Sequence, residues 1–304
     1  GCLGPRAHAV FAAETAASSP SPGALPIYKA IKYNMIRDKV SLLEKFEQSK
    51  RAGYHGISLM HPADIDLDEA VAARDASGLP IHNVNQGTHW KVRLSDPDPA
   101  VRAQGLADTL ACLRFAKACG ADSILLVIGK VTDEENENHQ QVRARSAEQI
   151  RKMLPLAAEL GVRILCENVG NGFCSDAQAW AEYIDSFESP WVGAFFDIGN
   201  HQGYGGAPHW IRTLGHRIVK IDVKDHDDTT EKNCNLFEGD VDWPDVRAAL
   251  AEIRFTGWAT AEVRGGDEAR LTEVARNMDK ALGLGARRTY IEGKIEHSEP
   301  TGSQ

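Results

Sequence analysis

The chain has 304 residues, 42% of them hydrophobic, and a formal net charge of −9. That length is enough for one large core, and an acidic chain without clustered Lys and Arg lacks the surface that phosphate neutralisation on nucleic acid requires. No apolar run approaches the ~20 residues that cross a bilayer, so neither nucleic acid nor a membrane is expected among its partners.

Residues 1–26 are rich in Ala, Ser and Pro and have neither hydrophobic periodicity nor strand character, which predicts a disordered leader or linker. The six cysteines form no C-x-x-C pair and no metal-ligand spacing. A chain this long needs no disulfide staples, and reduced thiols favour a cytoplasmic location. Export is the alternative, because Ala7-His8-Ala9 has the small-residue pattern of a cleavage site and the chain does not begin with Met.

From residue 27 onward, strand-like runs alternate with helical stretches. A strand at 28–34 precedes a helix that Asp38 would cap and that runs to residue 52. A strand at 56–60 leads to a helix at 66–77. The next strand, 79–84, is followed by a loop through Thr88-His89-Trp90 and a helix at 99–119, on which Cys112 and Cys119 read as one packed face. A strand at 123–128, a charged loop at 132–139 and a helix to residue 160 complete the first half. The second half has apolar runs at 162–166, 191–196, 218–221 and 258–261, with helices near 175–187, 207–214, 242–253 and 267–284. Glycines before the strands (Gly53, Gly78, Gly120, Gly161, Gly215, Gly257) fit helix C-caps. Residues 285–304 read as a polar tail.

Eight such units predict an α/β protein folded as a single (β/α)8 TIM barrel over 27–284. A doubly wound open sheet is the alternative, but no G-x-G-x-x-G turn follows the first strand.

Four acids, Glu167, Asp197, Asp222 and Glu262, stand at or just past the ends of the last four strands. Parallel strands are buried on both faces, so a carboxylate is tolerated only where the strand leaves the sheet. In a barrel those ends share one face, and the four would converge. Converging carboxylates repel unless some take up protons or a cation lies among them, and an oxygen-ligated divalent ion is the simplest resolution. The bland reading of any one of them is a helix cap or a lysine's partner. Asp222, between Lys220 and Lys224, invites that reading most. His89, His201, His226 and Lys224 fall in loops on the same side, where substrate hydroxyls or a phosphate would arrive, although loop histidines are often merely solvated. Trp90 is expected either to wall that site or to pack. Glu134, Glu135 and Glu137 read as a solvated charged face.

Cys166-Glu167-Asn168, Phe196-Asp197-Ile198-Gly199-Asn200, Val223-Lys224-Asp225, the stretch 238–243 (EGDVDW) and Ala261-Glu262-Val263 together resemble the xylose-isomerase-like TIM barrels. Within them the chain looks most like the L-ribulose-5-phosphate 3-epimerase and hexulose-6-phosphate isomerase group, as does the stretch 88–96 (THWKVRLSD). The resemblance implies that Glu167, Asp197 and Glu262 bind one divalent cation, with Asp222 at the position of a usual histidine ligand. It implies Glu167 and Glu262 as the acid/base pair, and His89, Asn200, His201, Lys224 and His226 are the expected substrate-binding residues. Carboxylate in place of imidazole favours Mn²⁺ or Mg²⁺, with Zn²⁺ or Co²⁺ as alternatives. Ser58 stands where the epimerases commonly carry a Glu, and Asn200 where some relatives place a histidine.

The implied reaction removes a proton from a carbon next to a ketose carbonyl and returns one to the opposite face through an enediolate. The implied substrate is a small sugar or sugar phosphate, and relatives often form dimers or tetramers. Three rivals stand beside it. One is a hydroxypyruvate isomerase or unphosphorylated keto-sugar epimerase. Another is an apurinic-endonuclease-like phosphodiesterase, disfavoured by the acidic balance and Asp222. The last is a sugar-binding barrel without turnover.

Overall fold

The computed structural model describes residues 27–284 together with two short strands of the tail. In chain order the strands are β1 (Ile27–Lys32), β2 (Gly56–His61), β3 (Ile81–Gln86), β4 (Ser123–Leu126), β5 (Arg163–Glu167), β6 (Val192–Asp197), β7 (Ile218–Val223), β8 (Asp225–Asp227), β9 (Lys232–Cys234) and β10 (Gly257–Ala261). The helices are α1 (Leu42–Arg51), α2 (Leu67–Ser77), α3 (Pro99–Cys119), α4 (His139–Leu160), α5 (Ala177–Asp185), α6 (Ala207–Leu214), α7 (Trp243–Glu252) and α8 (Glu268–Leu282). Strands β1 to β7 and β10 pair in parallel and close into a barrel in the order β1-β10-β7-β6-β5-β4-β3-β2. The expected (β/α)8 barrel is therefore the fold. The leader lies outside the described residues. In the tail, β11 (Arg288–Ile291) and β12 (Lys294–His297) form a separate antiparallel pair. No helix among the described residues is long and apolar enough to cross a membrane.

Local signals explain the well-placed elements. Asp98 caps α3 by accepting from Ala100 N at 2.8 Å, Pro99 opens it, and left-handed Gly120 closes it. Asn138 and Gln141 cap α4 reciprocally. The cap expected at Asp38 is instead Ser41, whose Oγ accepts from Glu44 N at 3.2 Å. A short 3-10 turn at Tyr33–Met35 follows β1, and Asp38 accepts from Gln48 Nε2 at 2.9 Å. Gly257 is not a C-cap either. It opens β10 at φ +144, where a Cβ would lie 3.0 Å from Val219 O, so both dihedral and space exclude a side chain.

Two apolar layers follow from the alternation of side chains along each strand. One face of each strand packs with the helices, burying Phe46, Trp180, Tyr183, Phe196 and Trp210, and Cys112 and Cys119 join this layer as packing residues. The other face gives a small separate cluster of Leu125, Leu165 and Phe195 inside the barrel. Much of the remaining lumen is polar. The Asn83 amide bridges Ser58 and Ser123 (3.0 and 2.8 Å), and Ser58 reaches Asn85 at 3.1 Å.

The charged loop after β4 departs from its expected solvated face. Glu134 and Glu135 are exposed, but Glu137 is buried. It accepts from Arg93 Nε and Nη2 (3.0 and 2.7 Å), Ser95 Oγ (2.6 Å) and Thr132 Oγ1 (2.9 Å), which satisfies a charge that burial would otherwise penalise.

Candidate active site and metal centre

Leu165 and Phe195 face the barrel axis, so Glu167 and Asp197, two residues further along β5 and β6, face it as well. On β7 the same alternation sets Lys220, Asp222 and Lys224 on one face, and on β10 it sets Glu262 above Thr260. Glu167, Asp197, Asp222 and Glu262 consequently converge, each offering an oxygen within 4.8 Å of the others.

Two ammonium groups sit among them. Lys32, from the end of β1, lies 2.8 Å from Asp222 Oδ2 and also pairs with Glu262 Oε1. Lys224 lies 2.8 Å from Asp197 Oδ2 and 2.9 Å from Glu262 Oε2. The partner of Asp222 is thus Lys32 and not its chain neighbours. Lys220 points to the other end of the barrel, where its Nζ donates to His82 O, Asp122 and Ser123 Oγ, and burial pushes its pKa down to about 8.

The electrostatics separate the four acids. Burial pushes Glu167 and Asp197 well above the usual carboxylate range, with Glu262 adding to the upward push on both. Burial raises Asp222 to about 6 against the opposing pull of Lys32. Glu262 is also pushed up by burial, but Lys32 and Lys224 together outweigh it and hold this carboxyl well below its ordinary value. Glu262 is thus held down while Glu167, Asp197 and Asp222 are all pushed up, so the two glutamates sit in opposite environments.

The donors fit a hard divalent ion. All four are carboxylates, and Asp222 Oδ1 is buried with no hydrogen-bond partner among the described residues. Two ammonium groups leave two of the four ionised carboxylate charges unbalanced, the amount one divalent cation neutralises. All-oxygen coordination suits Mn²⁺ or Mg²⁺ better than Zn²⁺.

Beside the cluster opens a cavity of ≈ 360 Å³ lined by Lys32, Asn85, His89, Trp90, Glu167, Asn200, Lys224, Asn233 and Glu262, among others. A larger one of ≈ 630 Å³ lies among residues where the strands begin, including Tyr28, Arg163, Lys220 and Trp258. In this fold chemistry is built at the carboxyl ends of the strands, so the smaller cavity is the candidate site.

The expected substrate contacts divide. His89 lines the cavity, and its Nδ1 accepts from Val127 N at 3.1 Å. Burial lowers its pKa to about 3, so it is a neutral ring carrying its proton on Nε2. Trp90, half exposed, also lines the cavity. Asn200 donates to Asn168 O at 2.8 Å and to Glu167 Oε1 at 3.3 Å. His201 is not among the lining residues. It is buried against Trp210, 4.3 Å between ring centroids, and its Nδ1 lies 3.0 Å from Asn168 Nδ2. Asn168 in turn accepts from Asp197 N at 2.8 Å, which makes His201 a support beneath the loop that follows β6. His226 sits in the hairpin of β8 and β9, with its Nδ1 3.3 Å from Asn233 Oδ1. It too lies outside the lining, and Asn233 takes the cavity position.

Three contributors carry little sequence signal. Lys32 reads as one polar residue closing a first strand. Asn233 belongs to a hairpin too short for a strand pattern. Asp225 is buried and accepts from His226 N, Phe237 N, Val241 N and Trp243 Nε1 at 2.9, 2.9, 3.1 and 2.9 Å. It is therefore the post around which the loop between β7 and α7 is wound. The sequence Val223-Lys224-Asp225 thus sets an ammonium into the site and, one residue on, an anchor outside it.

A barrel whose strand ends gather four acids and two lysines beside a polar cavity defines a class of site. The family follows from comparison: residues 46–282 match the xylose isomerase-like TIM barrel model, and the chain belongs to that family. Among curated proteins it is similar to the L-ribulose-5-phosphate 3-epimerase UlaE of Escherichia coli O1:K1 / APEC, 26% identical over 228 residues, covering 71% of this chain and 79% of the relative. Among solved structures, a D-tagatose 3-epimerase-like protein superimposes with a TM-score of 0.73 at 14% identity, covering 84% of this chain and 97% of the other. The IOLI protein with a binding zinc atom gives a TM-score of 0.72 at 16% identity over 84% and 98%. At those identities the structural matches speak for the fold.

Proposed function

We propose that the protein is a divalent-metal-dependent epimerase or isomerase of a ketose or ketose phosphate. The observation that carries this reading is the convergence of Glu167, Asp197, Asp222 and Glu262 around one point beside a polar cavity. The curated relative named above is a sugar-phosphate epimerase, which supports the same chemistry.

In this reading the four carboxylates hold the cation, which when bound supplies Lewis acidity to the carbonyl and adjacent hydroxyl and stabilises negative charge at oxygen. Glu262 removes the proton from the carbon next to the carbonyl. Its carboxylate is kept ionised by Lys32 and Lys224. Glu167 manages the proton on the opposite face of the enediolate. His89 donates Nε2–H to a substrate oxygen, and Asn200 fixes the orientation of Glu167.

The reading is tested by following deuterium incorporation next to the carbonyl of a ketose in heavy water. Exchange is expected with Mn²⁺, to disappear on chelation and to return when Mn²⁺ or Mg²⁺ is restored. Exchange that survives complete chelation would contradict the metal role.

A further inference from the structure

Resting on the epimerase reading, we infer that the substrate is an unphosphorylated ketose. Among the described residues that line the cavity, Lys32 and Lys224 are the only cations. Neither is available to an anion, because each ammonium is clasped by two carboxylates: Asp222 and Glu262 for Lys32, Asp197 and Glu262 for Lys224. Two ammonium groups and one divalent ion together just balance four ionised carboxylates, so a loaded site has no positive charge left over. A phosphate dianion entering this cavity would lose hydration without finding a charge-assisted partner.

The rest of the lining has the opposite chemistry. Asn34, Asn85, Asn200 and Asn233 line the cavity with side-chain amides, of which Asn200 Nδ2 is engaged by Asn168 O and Glu167 and Asn85 Oδ1 by Ser58 and Asn83. An amide both donates and accepts, as a hydroxyl does, whereas a phosphate offers only acceptors. The Asn233 Nδ2 donor makes no hydrogen bond among the described residues, its Oδ1 being the atom near His226. Neutral His89 adds one donor. Trp90, 51% exposed at the edge of the cavity, supplies the aromatic face on which the C–H side of a sugar packs.

The test uses the full chain reconstituted with Mn²⁺ and matched probes: L-ribulose with L-ribulose 5-phosphate, and D-fructose with D-fructose 6-phosphate. Binding is read by calorimetry and deuterium exchange by NMR. The free ketose of at least one pair is expected to bind at least about tenfold more tightly than its phosphate, and Asn233→Arg should narrow that gap by supplying an uncommitted cation. Equal or tighter binding of the phosphates in both pairs overturns the inference. Binding of no probe overturns it together with the epimerase reading. Preferential binding of a free ketose without exchange upholds it and removes the catalytic reading alone.

Discussion

Glu262→Gln is expected to lower solvent-proton exchange into a ketose by about 10³-fold, near the middle of the range for a positioned general base, while the barrel stays folded. Glutamine keeps the shape of the side chain but cannot take a proton. Both lysines paired to Glu262 keep a second carboxylate, Asp222 for Lys32 and Asp197 for Lys224, so the loss should fall on chemistry and not on folding. NMR exchange rates beside a thermal melt separate the two. Near-normal exchange in a folded variant would remove Glu262 from the base position and with it the two-carboxylate mechanism.

Lys32→Met is expected to have the largest effect on stability. The Lys32 ammonium is the partner of Asp222 Oδ2 at 2.8 Å, and Asp222 Oδ1 already lacks a hydrogen bond among the described residues. Removing one member of a buried ion pair typically costs about 3–5 kcal/mol because the other charge is stranded. In a domain of this size that corresponds to a fall in Tm of about 10 °C. The double variant Lys32→Met/Asp222→Asn should recover much of the loss, since it leaves no stranded charge. Mn²⁺ should also stabilise the single variant by binding the folded state. A melt indistinguishable from the parent protein would show that Asp222 is not held by Lys32.

The barrel was legible in the sequence because it repeats: eight apolar runs, each followed by a helical stretch, leave few alternatives. Helices α3 and α6 end where their caps and flanking glycines place them. The four acids were legible for the same reason, since a carboxylate ending a buried parallel strand is unusual and four in succession are hard to explain singly. Their convergence is what the barrel predicts. The counter-ions were not legible. Sequence neighbours suggested Lys220 for Asp222, yet two residues along a strand is about 7 Å, and Lys220 reaches the opposite end of the barrel. The true partner comes from β1, 190 residues away, a distance that only barrel closure removes. The histidines divided for a related reason. Loop position brings a residue to the right end of the fold, but whether it faces the cavity, as His89 does, or the loop beneath, as His201 does, depends on turns that local sequence does not encode.

The most direct test of the central claim is a calorimetric titration of the chelated, full-length protein with Mn²⁺, backed by elemental analysis. One divalent ion per chain is expected. Burial holds protons on Glu167 and Asp197 above the usual carboxylate range and raises Asp222 to about 6. Those protons must leave before the oxygens can ligate, so binding should release protons and weaken as the pH falls toward 6 and below. Asp197→Asn should lower the affinity at least about 100-fold, because its amide would turn an N–H₂ toward Lys224 or the ion. A protein that takes up no divalent cation at any pH would mean that Lys32, Lys224 and shared protons alone satisfy the four carboxylates, and the metal-dependent reading would be wrong.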